Sequence, residues 1–145
     1  MLVDEVISRI TAKVPEFDKR IQGALELAAL VKEKCLPNET PFAFVIPLGL
    51  SGGQGETVTG MFRQSVDDTV AVVILLDAAD DVAGEKSLPS LTDLIDKTIN
   101  GVCGWAPADE IGGFHLVRGV LLSLDAGTVI YQLDFKIQDQ LRIMT

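Results

Sequence analysis

The sequence has few of the residues that most catalytic and metal sites require. It contains one histidine, His115, and two cysteines, Cys35 and Cys103, which lie far apart without metal-ligand or redox spacing. It also lacks the GxGxxG and HExxH strings of nucleotide-binding and metalloprotease sites. We therefore predict no catalytic, cofactor or metal site, and we expect both thiols to be buried and reduced, as is usual in the cytoplasm.

Long apolar segments and positive charges are also scarce. The longest uninterrupted apolar run, Val70 to Leu76, is far shorter than the roughly 20 residues that cross a bilayer. Two acids, Asp4 and Glu5, stand where a secretory signal would carry bases, so we expect the protein to stay in the cytoplasm. The sequence has 12 Lys and Arg and 21 Asp and Glu, which gives a net charge of −9. This charge argues against membrane binding and sequence-independent nucleic-acid binding.

What the sequence does contain predicts one globular domain over residues 1–145. Its 145 residues are 48% apolar, which suffices for one hydrophobic core. The charge is uneven, because residues 1–36 carry six acids and six bases and are neutral. Seven acids but one base, Arg63, lie between Glu56 and Glu85. We expect one side of the molecule to be strongly acidic.

Hydrophobic periodicity predicts about three helices and about five strands. Apolar residues recur at helical spacing in three segments, and alternating or continuous apolar residues mark the strands. The predicted helices span residues 2–14, 24–34 and 88–102; the predicted strands span 42–48, 57–66, 70–76, 114–124 and 129–137, with a short extended piece at 17–23. Because turns join most strands, we predict an α+β fold with an antiparallel or mixed sheet and the helices packed mainly on one face. The last strand alternates, and Gln132, Asp134 and Lys136 are expected to face water.

The segment Leu50-Ser-Gly-Gly-Gln54 has the letters of the signature motif of ABC-type ATPases. Those proteins also need a GxxxxGK[ST] phosphate loop, and this sequence has none. We therefore interpret residues 49–55 as a flexible glycine-rich loop between two strands, a place where a partner could dock.

Four residues are predicted to act as structural anchors. Pro47 removes a backbone donor and places the end of its strand at a sheet edge. In Gly104-Trp105-Ala-Pro107 a glycine can end the third helix, and the only tryptophan can pack back over the sheet. Tyr131 belongs to the apolar side of the last strand.

These residues, in this order, resemble the tail terminator-like proteins of tailed bacteriophages and prophages. The resemblance rests on the proline-flanked strand Pro41 to Gly49, Gln64, the Gly104 to Pro107 string, the closing strand with Tyr131 and Phe135, and an N-terminal helix that ends at a proline. It covers nearly the whole chain and implies the fold of the lambda-like tail terminator.

The resemblance implies a structural assembly protein with no enzymatic activity and no cofactor. Such a protein forms a ring, typically a hexamer, that caps the tail tube, ends its polymerisation and prepares it for head joining. Its partners would be its own copies, the tail tube protein and a head-tail connector, and DNA would pass through without specific binding. It would be found in the host cytoplasm during assembly and in the virion tail afterwards.

A closed ring needs two different patches of each subunit to meet. The edge strand, the glycine segment and the acidic segment are the candidates, and part of the acidic segment is expected to face the lumen or the ring surface. The candidate interface residues are Gly52, Gly53, Gln54, Arg63, Asp77, Asp80 and Asp81. Two other classes stay open, namely a head-tail connector or other minor tail protein and a small cytoplasmic enzyme that would use His115, Cys103 or an acid pair.

Overall fold

The computed structural model describes residues 2–33, 39–77, 87–107, 112–124 and 127–145, with the side chains of residues 87–89 left out. It has three α-helices, one short 3-10 helix and five strands. The helices are α1 (Leu2–Lys13), α2 (Ala24–Glu33) and α3 (Ser87–Val102), and the 3-10 helix is Pro15–Phe17. The strands are β1 (Ile21–Gln22), β2 (Phe42–Val58), β3 (Met61–Asp77), β4 (His115–Ser123) and β5 (Thr128–Met144).

The five strands form one mixed sheet in the order β1-β2-β3-β5-β4. The two-residue strand β1 runs parallel to β2, and the other three pairings are antiparallel. The predicted α+β class is therefore confirmed. No helix formed by the described residues has both the length and the apolar character needed to cross a membrane.

The apolar half of β3 is the centre of the core, as its lack of a polar side predicts. Val72 and Ile74 are fully buried and point to the face that carries α1 and α3. Val73 and Leu75 point to the opposite face, where Leu27 and Leu30 of α2 pack against them and Phe44. Two helices thus share one face and the third covers the other, because this strand is apolar on both sides.

Three predicted boundaries are wrong in the same direction, since β2, β3 and β5 each extend over 17 residues. Residues 49–55, predicted as a flexible loop, lie inside β2 and pair with β3. The single strand predicted over 57–66 is divided between β2 and β3 by a turn at Thr59 and Gly60. Gly60 has a φ of 78°, which glycine adopts at low cost and which allows the tight turn.

The polar side of β5 is less open to water than its alternation predicts. Asp134 is 4% exposed, although Gln132 and Lys136 on the same side are partly exposed. Its carboxylate accepts hydrogen bonds from Arg118 Nε at 2.9 Å and from Gln132 Nε2 at 2.8 Å. The neighbouring strand β4 supplies the arginine that makes this burial tolerable, and sequence alternation carries no information about such a cross-strand partner.

The end of α3 is held by the segment that contains the only tryptophan. Gly104, with a φ of 79°, follows the helix, and its N–H donates to the carbonyl of Phe114 at 2.8 Å. The Trp105 ring stacks on Phe114 with centroids 5.7 Å apart. The Arg9 guanidinium lies 5.3 Å above the indole, and Arg9 Nε donates to the carbonyl of Gly101 at 2.8 Å. Arg9 therefore joins α1 to the end of α3.

We predict that Arg9→Met lowers the free energy of unfolding by about 1–2 kcal/mol, because it removes one hydrogen bond and one cation–π contact while keeping the apolar stem. Urea unfolding measures this loss. Trp105 fluorescence can follow the unfolding at a single site, because Trp105 is the only tryptophan. Lys32→Met, on exposed α2, is the matched control and should stay within about 0.5 kcal/mol of the parent. Equal effects of the two variants would contradict the role given to Arg9.

Candidate assembly interface

Half of the sheet projects beyond the core as a three-stranded arm. We define the arm as residues 49–58 of β2, 61–69 of β3 and 136–144 of β5. Every β2 residue from 47 to 58 is exposed, and among the arm residues of β3 and β5 only Ile137 is buried. The arm is a regular part of the sheet, since β3 pairs with β5 without a break from Asp77 to Met61. It is therefore a surface built on ordered strands.

The glycines of β2 let side chains of β3 lie across its backbone. A Cβ atom on Gly52 would be 2.6 Å from Gln64 Nε2, and one on Gly55 would be 2.9 Å from the Phe62 ring. Gln64 Nε2 also donates to the carbonyl of Gly53 at 2.9 Å. The register shifts between Gly52 and Gly55, so this segment is a β-bulge into which the Gln64 amide reaches. Strand glycines commonly mark such bulges and close approaches.

The arm has two chemically different faces, which follow from its cross-strand pairing. Gln64 pairs with Leu141 and Phe62 pairs with Ile143, so these side chains share the face that continues from the α1 and α3 side of the core. We call it the acidic-apolar face; its apolar members are Leu50, Phe62, Val66, Leu141 and Ile143, its carboxylates are Asp68 and Asp139, and Thr57 and Gln64 are its uncharged polar members. It carries no base among these strand residues, so its only formal charges are negative.

The opposite face of the arm is polar and contains both charge signs. Lys136 Nζ lies 3.7 Å from Asp67 Oδ2, and Gln138 Nε2 donates to Ser65 Oγ at 2.7 Å. Arg63 and Arg142 are also on this face. A shallow polar depression here is lined by residues of all three strands, including Gln54, Glu56, Arg63 and Gln140. The side chains of this face are polar and bonded to one another, in contrast to those of the acidic-apolar face.

The acidic-apolar face holds one perturbed carboxyl group. Partial burial, and secondly the charge of Asp139, raise the pKa of Asp68 above its usual value of 3.8. The two acids occupy diagonal positions of β3 and β5, because Asp68 pairs with Ile137 and Asp139 pairs with Val66. Two like charges are thus held close together on a partly apolar surface, which costs stability at neutral pH.

The sequence-predicted interface residues fall into separate places. Gly52, Gly53, Gln54 and Arg63 all lie in the arm, with Gln54 and Arg63 at the polar depression. Asp77 is at the other end of β3, roughly 45 Å along the strand from Arg63 at about 3.3 Å per residue, and its N–H donates to Thr40 Oγ1. Asp80 and Asp81 lie outside the described residues.

The four predicted anchors lie at the edge of β2, against the core and beside a surface depression. Pro47 pairs with Val70 on one side, and β1 accompanies β2 only at Ala43 and Phe44, so Pro47 lies where the outer edge of β2 has no strand partner among the described residues. Trp105 and Tyr131 pack against the core without being fully buried. Tyr131 covers β4, since a Cβ atom on Gly119 would be 2.8 Å from its hydroxyl. Pro107 lines a shallow depression beside Trp105 and Arg9.

Sequence reasoning missed a second uncovered surface, the β4 edge, which we define as residues 115–124. β4 pairs with β5 on one side, and no strand among the described residues pairs with its other side from His115 onward. Leu116, Val117, Leu121, Leu122 and Leu124 are between 39% and 66% exposed. The sequence predicts a strand over 114–124, and only the topology shows that β4 is at an edge.

Catalytic geometry is missing from the described residues. His115 is exposed at the start of β4, and Cys103 is a free, partly buried cysteine; Cys35 lies outside the described residues. In the described ranges no three His, Cys, Asp or Glu side chains are grouped so that they could hold a metal ion. What the arm and the β4 edge offer is contact area.

Comparisons with known proteins identify one matching family and one similar solved structure. A family model for the "Phage tail terminator protein" matches residues 1–145. No match was found among curated proteins. Among solved structures, the chain is similar to one from the "Virion of native gene transfer agent (GTA) particle", with 13% identity and a TM-score of 0.59, over 97% of this chain and 95% of the other. At that identity the likeness shows the fold alone.

We predict that Gly55→Ala loosens the arm without unfolding the core. The added methyl group displaces the Phe62 ring, so amide exchange in the arm should accelerate about five- to tenfold, the equivalent of roughly 1 kcal/mol of local stability. Gly53→Ala is the matched control, because its nearest neighbour is the Ser65 carbonyl at 3.4 Å, an ordinary contact. Hydrogen–deuterium exchange measures both variants, and equal acceleration in the two would disprove the close approach at Gly55.

We predict that Asp68→Asn raises the melting temperature at pH 7. A carboxyl group whose pKa is higher in the folded state than in the unfolded state destabilises the fold above that folded value. The gain should therefore disappear as the pH falls towards 3, below the usual value of 3.8. Asp67→Asn is the control, since Asp67 faces Lys136 and its neutralisation should give no gain. A gain of the same size at pH 3 and pH 7 would refute the electrostatic explanation.

Proposed function

The chain belongs to the phage tail terminator family, and on that premise we propose that it caps the end of the phage tail tube, ends tube polymerisation and prepares the tube for head joining. Membership of the family gives the protein a structural role in tail assembly, and the resemblance identified from the sequence is correct at that level. The single observation that carries the finer proposal is the family match over all 145 residues. The two uncovered surfaces support it, because capping requires contact area and no chemistry.

The capping unit we propose is a homo-oligomeric ring, with six subunits as the expected number. A ring is built from heterologous contacts, in which one patch of a subunit meets a different patch of the next. The arm and the β4 edge are two such patches on one sheet, and they differ in charge and in position. One outer surface of the ring would bind the tail tube protein and the other the head-tail connector.

The acidic composition suits a ring through which DNA passes. A net charge of −9 repels phosphate groups, so the lining would not retain the DNA by nonspecific contacts. We therefore assign part of the segment between Glu56 and Glu85 to the lumen or to a ring surface. Assembly would take place in the host cytoplasm, and the ring would remain in the virion tail.

The test is a tube-growth assay with the tail tube protein of the same phage or prophage. Tube protein is polymerised with and without the purified chain, and tube lengths and ends are imaged by negative-stain electron microscopy. We expect shorter tubes that stop growing and carry a six-fold ring of tube width at one end. Growth that continues unchanged in the presence of the chain would overturn the proposal, and a ring reconstruction with a basic lumen would overturn the charge assignment.

A further inference from the structure

We propose that the acidic-apolar face of the arm packs against the β4 edge of a neighbouring copy of this chain. The inference deepens the proposed ring by naming the two surfaces that join its subunits, and it rests on that proposed function.

The acidic-apolar face leaves several aliphatic side chains exposed to solvent. Leu141 is 42% exposed, Ile143 51% and Leu50 72%, and Phe62 and Val66 lie between them on β3. The face is continuous with the core side that α1 and α3 cover, but at Val70 and Ile137 the buried core ends. A sheet face that continues past its helix layer with aliphatic side chains is suited to burial by another molecule.

The β4 edge is the second uncovered surface, and its position makes exposure costly. Strands at a sheet edge present free N–H and C=O groups, and apolar edge strands associate readily with other chains. β4 carries leucines and a valine along the whole edge. Its pairing with β5 has two register shifts, at Leu116/Arg118 and at Leu121/Ser123, so β4 is not a regular strand along its whole length. Side-chain packing is therefore the contact we infer, with backbone pairing playing a smaller part.

Charge disfavours joining two arm faces and favours the β4 edge as the partner of one. The acidic-apolar face has Asp68 and Asp139 as its only charged members, so two arm faces would oppose four carboxylates. β4 has no acid between His115 and Ser123. Its Arg118 binds Asp134 through Nε at 2.9 Å, but the arginine side chain is still 64% exposed and can face a carboxylate of a neighbouring copy.

A second copy of the chain is the occupant that uses both patches at once, because every copy carries one arm and one β4 edge on the same sheet.

The test begins with one variant of each surface. Leu141→Glu places a charge on the arm face, and Leu122→Glu places one on the β4 edge. Each should raise the protein concentration needed for ring formation, in solution or on tube ends, more than about tenfold, because both changes bury a charge. Gln138→Glu, on the polar face of the arm, is the matched control and should leave rings intact. Circular dichroism and thermal unfolding establish that all variants fold.

Mixing the two defective variants gives the decisive result. A Leu141→Glu copy keeps a working β4 edge, and a Leu122→Glu copy keeps a working arm, so the mixture should form heterodimers and no rings. Native mass spectrometry distinguishes these heterodimers from the monomers that each variant gives alone. No heterodimer in the mixture, or loss of rings in only one of the two variants, would overturn the head-to-tail pairing.

The outcomes separate this inference from the proposed function. Rings that form and arrest tube growth in both variants as in the parent would overturn the arm-to-β4 contact and leave tube capping intact. A parent chain that gives neither rings nor growth arrest would overturn both. Arrest by the parent, lost in Leu141→Glu and in Leu122→Glu but kept in Gln138→Glu, supports both together.

Discussion

The close packing of Gln64 and Phe62 across the glycines of β2 is the contact on which the arm depends. Without helices to bury it, a long hairpin would be held by backbone hydrogen bonds alone and would be marginal in water. The missing Cβ atoms at Gly52 and Gly55 let an amide and an aromatic ring lie close to the strand, and the Gly53 carbonyl accepts a hydrogen bond from Gln64. Pairing with β5 adds a third strand. The arm therefore keeps its shape outside the core.

The parts of the fold that could be predicted from the sequence are those decided by local periodicity. The helix at Leu2–Lys13 and the buried half of β3 follow from their own apolar patterns. Predicting them required no information about distant contacts. The continuation of β5 through Met144 could have been inferred from Leu141 and Ile143, which alternate with polar residues. The projecting arm itself could not, because exposed residues in a strand carry little hydrophobic signal and depend on their neighbours.

The glycine-rich segment 49–55 shows why amino-acid composition predicted a loop where the structure has a strand. Glycines relax backbone restrictions, so a run of them between two strand-like segments predicts a loop. The same residues are also required where another side chain approaches the backbone of a strand, and only the partner strand reveals which reason applies. Gln64 supplies that reason here, 12 positions from Gly52. The segment from Leu50 to Gln54 matches an ATPase signature only in its amino-acid letters, since here it belongs to a strand with a β-bulge.

The arm contains a feature that disfavours burying its acidic-apolar face against another apolar surface. Asp68 and Asp139 lie among aliphatic side chains, and burial together with the charge of Asp139 raises the pKa of Asp68. Covering the face with another apolar surface would desolvate both carboxylates, which is costly unless a cation arrives with it. Arg118 on the β4 edge can meet that requirement, because its side chain is largely exposed while its Nε holds Asp134. The apolar residues would then provide the contact area, and the charges would determine which surface can pack against the face.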